Sequence, residues 1–251
     1  MVESVEEALK NALHMMEQAG FKINQEVKVV VDEKLPFMGY TSRQWQSHVI
    51  VVSGHAVKSP MLVGLLTHEL SHVYRNITGH PSHSEPLIAS LMRIFVDRHK
   101  LDRDYEQEIL HQAINHIQDL YADDIAVRVL ATYDGMAPRL EQLGEFFLGW
   151  IKEDPARSGA RRRDQWINAS ILLNNSFAIS NMERHEIVEG QVEKAKLSND
   201  RFLKRIKPSA AMQFSYFNKF MVNLKEDISE AEFREHMKEY LRSFFDLVNS
   251  I

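Results

Sequence analysis

The stretch LLTHELSHVY, residues 65–74, contains two histidines, His68 and His72, separated by three residues. The residues around them are uncharged apart from Glu69, which indicates a helix with a buried face. In a helix, residues at i and i+4 lie on one face with their Cβ atoms roughly 6 Å apart. Both imidazoles can therefore reach one metal ion, and the Glu69 carboxylate can meet a water molecule held by that ion.

The composition narrows the chemistry that the chain can perform. It has 251 residues, 12 histidines and no cysteine. The absence of cysteine excludes disulfide scaffolds, thiolate metal sites, iron–sulfur clusters and cysteine nucleophiles, and leaves histidine as the neutral nitrogen ligand. The formal net charge of -5 disfavours a nucleic-acid partner, because the surface of a nucleic-acid-binding domain is usually basic.

Hydrophobic periodicity predicts an α+β fold that is predominantly α. Alternating apolar residues predict strands at 26–32 and 48–53, with a turn and a short strand at 34–45 between them. Helix-start signals predict Ser59 as the N-cap of the motif helix, and Ser229 with Glu232 as a capping box. The predicted helices span residues 3–19, 59–76, 86–98, 105–132, 140–151, 164–197, 210–225 and 231–248.

The sequence also predicts the cellular location of the protein and the exposure of one basic segment. No apolar run approaches the roughly 18 residues that a membrane helix needs, and the N-terminal residues do not have the pattern of a signal peptide. We therefore expect a cytoplasmic protein without a membrane partner. The basic run Arg161–Arg163 predicts a solvated loop, and residues 153–164 around it are the best candidate for a mobile linker or lid.

The motif at residues 65–74 resembles the zincin metallopeptidases, whose extended signature has uncharged residues around His-Glu-x-x-His. The metzincin form of this signature needs Gly and His three and six residues after the second histidine. This chain has Arg75 and Thr78 there, so the metzincins are excluded. His80 and His83 follow in a loop containing glycine and proline, and we expect them near the site without being ligands.

A second segment extends the resemblance to the gluzincins. Residues 119–126 read DLYADDIA, which is similar to the Glu-x-x-Ala-Asp/Asn-x-x-Ala pattern of the CAAX-prenyl endopeptidases and the ImmA/IrrE-like peptidases. The resemblance implies that Asp119 is the third metal ligand and that Asp123 orients a ligand histidine. Aspartate is one methylene shorter than glutamate, so His116 and Asp123, on the same helix face, stay as alternatives for the third ligand.

The resemblance implies a zinc-dependent metallopeptidase. One zinc ion per chain, held by His68, His72 and Asp119, would activate a water molecule, and Glu69 would act as the general base that hydrolyses a peptide or protein substrate. The strand at 48–53 would bind extended substrate along its edge. The alternative is a catalytically inactive zincin-like metal-binding protein that acts as an interaction module.

The resemblance covers about residues 45–135. It implies that residues 1–135 form a zincin-like metal-binding and catalytic region, a small N-terminal sheet with active-site helices. We expect residues 136–251 to form a helical region packed on it, and no motif in that region indicates a family; the oligomeric state is not indicated. The residue that would stabilise the oxyanion stays open among Tyr74, His111, Tyr121 and Arg128.

Overall fold

The computed structural model describes residues 4–44, 47–132, 137–187 and 189–251. Helices make up 69% of the structure and a three-stranded sheet makes up 8%. The fold is therefore α+β and predominantly α, which confirms the predicted class. The predicted boundary between residues 1–135 and 136–251 lies outside the described residues.

The N-terminal residues form one helix and a mixed sheet. Helix α1 spans Val5–Gln18, and the hydroxyl of Ser4 caps it by accepting a hydrogen bond from the backbone N–H of Glu7. The strands are β1 (Glu26–Asp32), β2 (Gly39–Gln44) and β3 (Ser47–Ser53), in the spatial order β1-β3-β2. β3 is parallel to β1 and antiparallel to β2.

Strand β3 is the central strand of this sheet, and both of its edges are paired. Its residues are in register with β1 from Ser47 to Ser53 and with β2 from Ser47 to Val52. The prediction that the strand at 48–53 binds substrate along its edge is therefore wrong, because that edge already holds another strand. Within the described part of the chain, β2 pairs with β3 alone, and it packs against the motif helix.

The motif helix α3 spans Leu62–Ile77 and follows the short helix α2 (Gly54–Val57). The prediction of Ser59 as its N-cap is wrong, since α3 begins after Met61, whose side chain makes no capping hydrogen bond. The hydroxyl of Ser59 instead accepts a hydrogen bond from the backbone N–H of Met61. Ser59 thus belongs to the turn that the chain needs between two successive helices.

The remaining helices agree with the sequence prediction in number and position, with two exceptions. The predicted helix at 164–197 is broken in two, and Glu186 in the break has a φ of 51°, which a helix cannot contain. The predicted helix at 210–225 is also two helices, and the capping box of Ser229 and Glu232 begins the last helix as predicted. The bounds are α4 (Glu85–His99), α5 (Asp104–Thr132), α6 (Ala137–Trp150), α7 (Arg161–Arg184), α8 (Glu189–Leu203), α9 (Pro208–Ala211), α10 (Phe214–Val222) and α11 (Glu230–Ser250).

The segment before α7, predicted as a mobile linker or lid, is held to that helix by side-chain hydrogen bonds. The amide of Asn168 pairs with both the backbone N–H and the carbonyl of Ala156, at 2.6 and 3.2 Å. The carboxylate of Asp164 accepts hydrogen bonds from the backbone and hydroxyl groups of Ser158. Residues 153–160 therefore form a loop anchored to α7. The prediction of Arg161–Arg163 as a solvated loop is wrong in part, because these exposed residues form the first turn of α7.

The chain divides into two compact units. One comprises residues 1–83 and 121–143, and the other comprises residues 84–120 and 144–251, so helix α5 belongs to both. The core of the first unit includes Leu9, Met16, Ile50, Leu66, Leu70, Ile125 and Leu130. The fully buried aromatic residues of the second unit include Phe95, Phe177, Phe202, Phe217, Tyr240 and Phe244. No helix in the described ranges has both the length and the apolar character needed to cross a bilayer.

Candidate metal centre

Helix α3 buries the face that the uncharged motif predicts. Leu66, Leu70 and Val73 are buried with Glu69, and α3 packs against α1 and β2. The buried hydroxyls on this face are satisfied within the helix, because Ser71 donates to the carbonyl of Thr67 at 2.7 Å. A polar side chain that projects from α3 next to this apolar face needs a specific partner, and His68 and His72 each have one.

The partner of His68 is Asp123 on α5. The Nδ1 atom of His68 lies 2.7 Å from Oδ1 of Asp123, and the Asp123 side chain is only 6% exposed. An ionised carboxylate can only accept a hydrogen bond, so in the neutral form of His68 the ring proton lies on Nδ1. The Nε2 atom of His68 therefore carries a lone pair, and the sequence-predicted role of Asp123 corresponds to this contact.

The partner of His72 is His83 in the loop that follows α3, and a continuous series of hydrogen bonds extends from His83 along this loop. Nδ1 of His72 lies 2.7 Å from Nε2 of His83, and Nδ1 of His83 lies 2.7 Å from Oγ of Ser82. Oγ of Ser82 is in turn 2.7 Å from Nδ1 of His80. We refer to His83, Ser82 and His80 as the loop relay.

The direction of the hydrogen bonds in the loop relay follows from one backbone group. The N–H of Ser82 donates to Nδ1 of His80 at 3.3 Å, so that nitrogen is an acceptor. Oγ of Ser82 then donates to His80 and accepts from Nδ1 of His83, which leaves Nε2 of His83 as the acceptor for Nδ1–H of His72. Nε2 of His72 therefore carries a lone pair, as Nε2 of His68 does.

The two lone pairs face each other. Nε2 of His72 lies 3.0 Å from Nε2 of His68. In the neutral tautomers that these partners favour, both nitrogens are acceptors and cannot form a hydrogen bond with each other, whereas a cation bound to both would turn their repulsion into attraction. This donor chemistry fits a metal ion that prefers nitrogen ligands.

Asp119 provides an oxygen beside these nitrogens. The ligand atoms of His68, His72 and Asp119 all lie within 4.8 Å of one another, and they form the group of possible metal ligands found in the described ranges. Asp119 lies on α5 one turn before Asp123, so the regular helix places both carboxylates on one face. Two imidazoles and one carboxylate are a ligand set that zinc accepts.

The two rivals for the third ligand have other surroundings. Asp123 is hydrogen-bonded to His68. His116 is buried and stacks on Phe177 with ring centroids 4.8 Å apart. Burial lowers the pKa of His116 to about 4, and the negative charge of Asp119 opposes that shift only in part. The geometry thus brings Asp119 together with the histidine pair and places His116 in an apolar contact.

Glu69, the candidate general base, is held by a residue that the sequence analysis missed. The hydroxyl of Thr41 on β2 lies 2.7 Å from Oε2 of Glu69, and the Glu69 side chain is buried. The hydroxyl is also 3.2 Å from the backbone carbonyl of Glu69. The sequence predicts a turn and a short strand at 34–45; the strand is β2, and it places Thr41 beside the motif helix.

Three of the four oxyanion candidates have described contacts. Tyr121 is fully buried, with its ring 4.6 Å from that of His80. The Tyr74 ring packs edge-on against Phe21, and the guanidinium of Arg128 lies over the same Phe21 ring. His111, the fourth, is exposed on α5. Of these, Tyr121 is the one in contact with the loop relay.

The charge state of the loop relay agrees with its hydrogen-bond directions. Burial, followed by the neighbouring His72 and His80, holds the pKa of His83 well below its ordinary value. His83 is therefore neutral, as an acceptor for Nδ1–H of His72 must be. The last turn of α3 is also held to the middle of α5, since the buried Arg75 donates from Nε to the carbonyl of Tyr121 at 3.0 Å.

Comparisons with known proteins identify a family. No curated protein and no solved structure matches the chain significantly. A family model described as "Family of unknown function (DUF5781)" matches residues 3–246, almost the whole chain. The chain therefore belongs to the DUF5781 family.

Proposed function

We propose that the protein is a zinc-dependent metallopeptidase that hydrolyses a peptide or protein substrate. One zinc ion per chain would be held by His68, His72 and Asp119, with Glu69 as the general base. The observation that carries the proposal is the approach of Nε2 of His68 and Nε2 of His72 to 3.0 Å, next to the Asp119 carboxylate. The resemblance of residues 65–74 to the zincin signature adds to it.

The ligand set supports a catalytic rather than a structural zinc. Structural zinc sites are usually closed by four protein ligands, whereas catalytic sites have three and keep one position open. Among the residues that the structure describes, three possible ligands come together here. When bound, zinc polarises a carbonyl group and makes water more acidic.

Glu69 has the surroundings of a general base. Its carboxylate would take a proton from the attacking water and later pass it to the leaving amine nitrogen. The hydroxyl of Thr41 donates to Oε2, which fixes the orientation of the carboxylate and leaves Oε1 for the transferred proton. Because Glu69 neighbours His68 in the helix, its position relative to the ligand histidines is set by helix geometry.

The edge of β2 is our proposed binding site for the substrate backbone. β2 carries Thr41, which contacts Glu69, so a peptide added to the outer edge of β2 would pass close to the general base. Added strands bind through backbone hydrogen bonds, which give affinity without a sequence requirement. This assigns to β2 the role that the sequence analysis gave to the strand at 48–53.

Replacement of Glu69 by Gln tests the proposal. We expect Glu69→Gln to retain one zinc per chain, measured by elemental analysis, and to lose hydrolysis of a broad peptide panel by a factor of about 100 or more, because the amide cannot accept the proton. Glu108→Gln is the matched control, since Glu108 is exposed on α5. A Glu69→Gln variant as active as the parent would exclude the mechanism, and loss of zinc from it would make Glu69 a structural residue.

The same experiment separates the peptidase from the alternative, a catalytically inactive metal-binding protein. Stoichiometric zinc without hydrolysis of any peptide in the panel supports the alternative. A zinc content near zero that added zinc does not change contradicts both. A cytoplasmic location is part of the proposal, and fractionation of cells that express the tagged full-length chain tests it.

A further inference from the structure

The loop after α3 is built so that its side chains return to the motif helix. Gly79 has a φ of 71°, in the left-handed region that glycine adopts without strain, and it turns the chain back. The backbone N–H of His80 donates to the carbonyl of Arg75 at 2.9 Å, and residues 81–83 form a single 3-10 turn. The turn places His83 against His72 and buries Ser82 completely.

We propose that His83 and Ser82 are positioning residues, which hold His72 in the tautomer that presents the Nε2 lone pair to the metal ion. Nε2 of His83 accepts the hydrogen bond from Nδ1–H of His72, and Ser82 fixes the tautomer of His83 in turn. The metal part of this inference rests on the proposed function. The tautomer part does not, because it concerns the metal-free chain.

The two ligand histidines are supported by different chemistry. Asp123 supports His68 with a negative charge, whereas the loop relay supports His72 with a neutral imidazole. A neutral acceptor fixes the tautomer and the ring orientation without adding a further negative charge beside Asp119 and Glu69. Partners of this kind affect metal affinity because the ligand ring is already oriented when the ion arrives.

The matched variants are His83→Phe, His83→Gln and Ser82→Ala. Phenylalanine keeps a planar ring and removes the acceptor, whereas the side-chain carbonyl of glutamine can accept the hydrogen bond from His72. Ser82→Ala leaves His83 in place and removes the hydroxyl that fixes its tautomer. His14→Phe, on the exposed surface of α1, is the control for a histidine-to-phenylalanine change.

Two measurements on the full-length protein test the proposal. The zinc dissociation constant is measured by competition with a chromophoric chelator, and the tautomer of His72 in the metal-free protein is measured by 15N NMR of the ring nitrogens. We expect His83→Phe to weaken zinc binding about 10–100-fold and to lose the Nδ1–H tautomer of His72. Ser82→Ala should weaken binding less, His83→Gln should retain most of the affinity, and His14→Phe should match the parent.

The possible outcomes are distinct. If His83→Phe binds zinc as tightly as the parent and His72 keeps its tautomer, the positioning role is wrong. If His83→Gln loses as much affinity as His83→Phe while His72 keeps its tautomer in both, the hydrogen bond from His72 does not explain the affinity and the proposal is also overturned. If the parent binds no zinc but His72 has the Nδ1–H tautomer only while His83 is present, the proposed function fails and the positioning role stands. Should His83→Phe not fold, judged by circular dichroism, Ser82→Ala and His83→Gln decide the question.

Discussion

The hydroxyl of Thr41 lies 2.7 Å from Oε2 of Glu69, although the two residues are 28 positions apart in the chain. Thr41 belongs to the edge strand β2 and Glu69 to the motif helix α3. The contact links the strand on which we propose that substrate binds to the residue that we propose as general base. A substitution at Thr41 therefore tests the orientation of the Glu69 carboxylate while the carboxylate itself is unchanged.

We expect Thr41→Val to lower kcat/KM about tenfold or more and to leave zinc binding unchanged. Valine has nearly the shape of threonine but cannot donate, and a hydrogen bond to a charged group contributes roughly 1.5–3 kcal/mol. Peptide hydrolysis and the zinc dissociation constant are measured side by side. Thr41→Ser keeps the hydroxyl and is the control; equal losses of activity in both variants would show that packing, not the hydrogen bond, is responsible.

The third ligand is tested by three alanine variants. We expect Asp119→Ala to weaken zinc binding more than Asp123→Ala, for which the loss of an outer hydrogen bond costs about 10–100-fold. His116→Ala should change the affinity least, because that ring stacks on Phe177. Chelator competition gives all three dissociation constants. A larger loss in His116→Ala than in Asp119→Ala would contradict the assignment.

Acid should destabilise the fold partly through His116. Its pKa is lowered to about 4 in the folded chain and is about 6.5 in the unfolded chain, so the unfolded state binds the proton first as the pH falls. The stabilisation is complete above pH 6.5 and decreases between pH 6.5 and 4. The difference corresponds to about 3 kcal/mol at most. His116→Phe keeps an aromatic ring at this position but has no group that binds a proton in this pH range.

The measurement is urea denaturation of the parent and of His116→Phe at pH 7.5 and pH 4.5, with a chelator present to remove bound metal. We expect the free energy of unfolding to decrease less in the variant than in the parent over this interval. The other histidines titrate in both proteins, so the difference between the two isolates His116. An identical decrease would mean that His116 is protonated in the folded state.

The buried carboxylate of Glu106, in the second unit, predicts that removal of Arg162 from the basic run destabilises the fold. The Glu106 side chain is wholly buried and is held by Nε of Arg162 at 2.6 Å and by Nη2 at 3.1 Å. Arg162→Leu should destabilise the chain by about 2 kcal/mol. The value is below the roughly 3–5 kcal/mol of a fully buried pair, since Arg162 is half exposed and its charge is screened.

Chemical denaturation measures this change, and two further variants complete the test. Arg201→Leu removes an exposed partner of Glu153 and should have little effect. Adding Glu106→Gln to Arg162→Leu should restore part of the stability, because the buried group is then neutral. If Arg162→Leu and Arg201→Leu behave alike, the pair at Glu106 does not stabilise the fold.

Most of the fold could be predicted because its elements are encoded locally. The alternation of residues 26–32 corresponds to β1, and the Ser229–Glu232 capping box begins α11 where the sequence indicates. Errors occurred where neighbouring residues give no signal. The helix predicted at 164–197 ends at Arg184, and no glycine or proline precedes the positive φ of Glu186 to announce the break.

The sequence by itself determined the α+β class and the local facts of the site. Helix periodicity places His68 and His72 on one face and Asp119 one turn from Asp123, because those pairs lie within a single helix. Tertiary structure alone decided which side chains meet them. Thr41 reaches Glu69 through the pairing of β2, and His83 reaches His72 through a turn at Gly79. Such contacts depend on how separate helices, strands and turns pack in the folded chain. The number of residues between two elements does not determine the distance between them after folding.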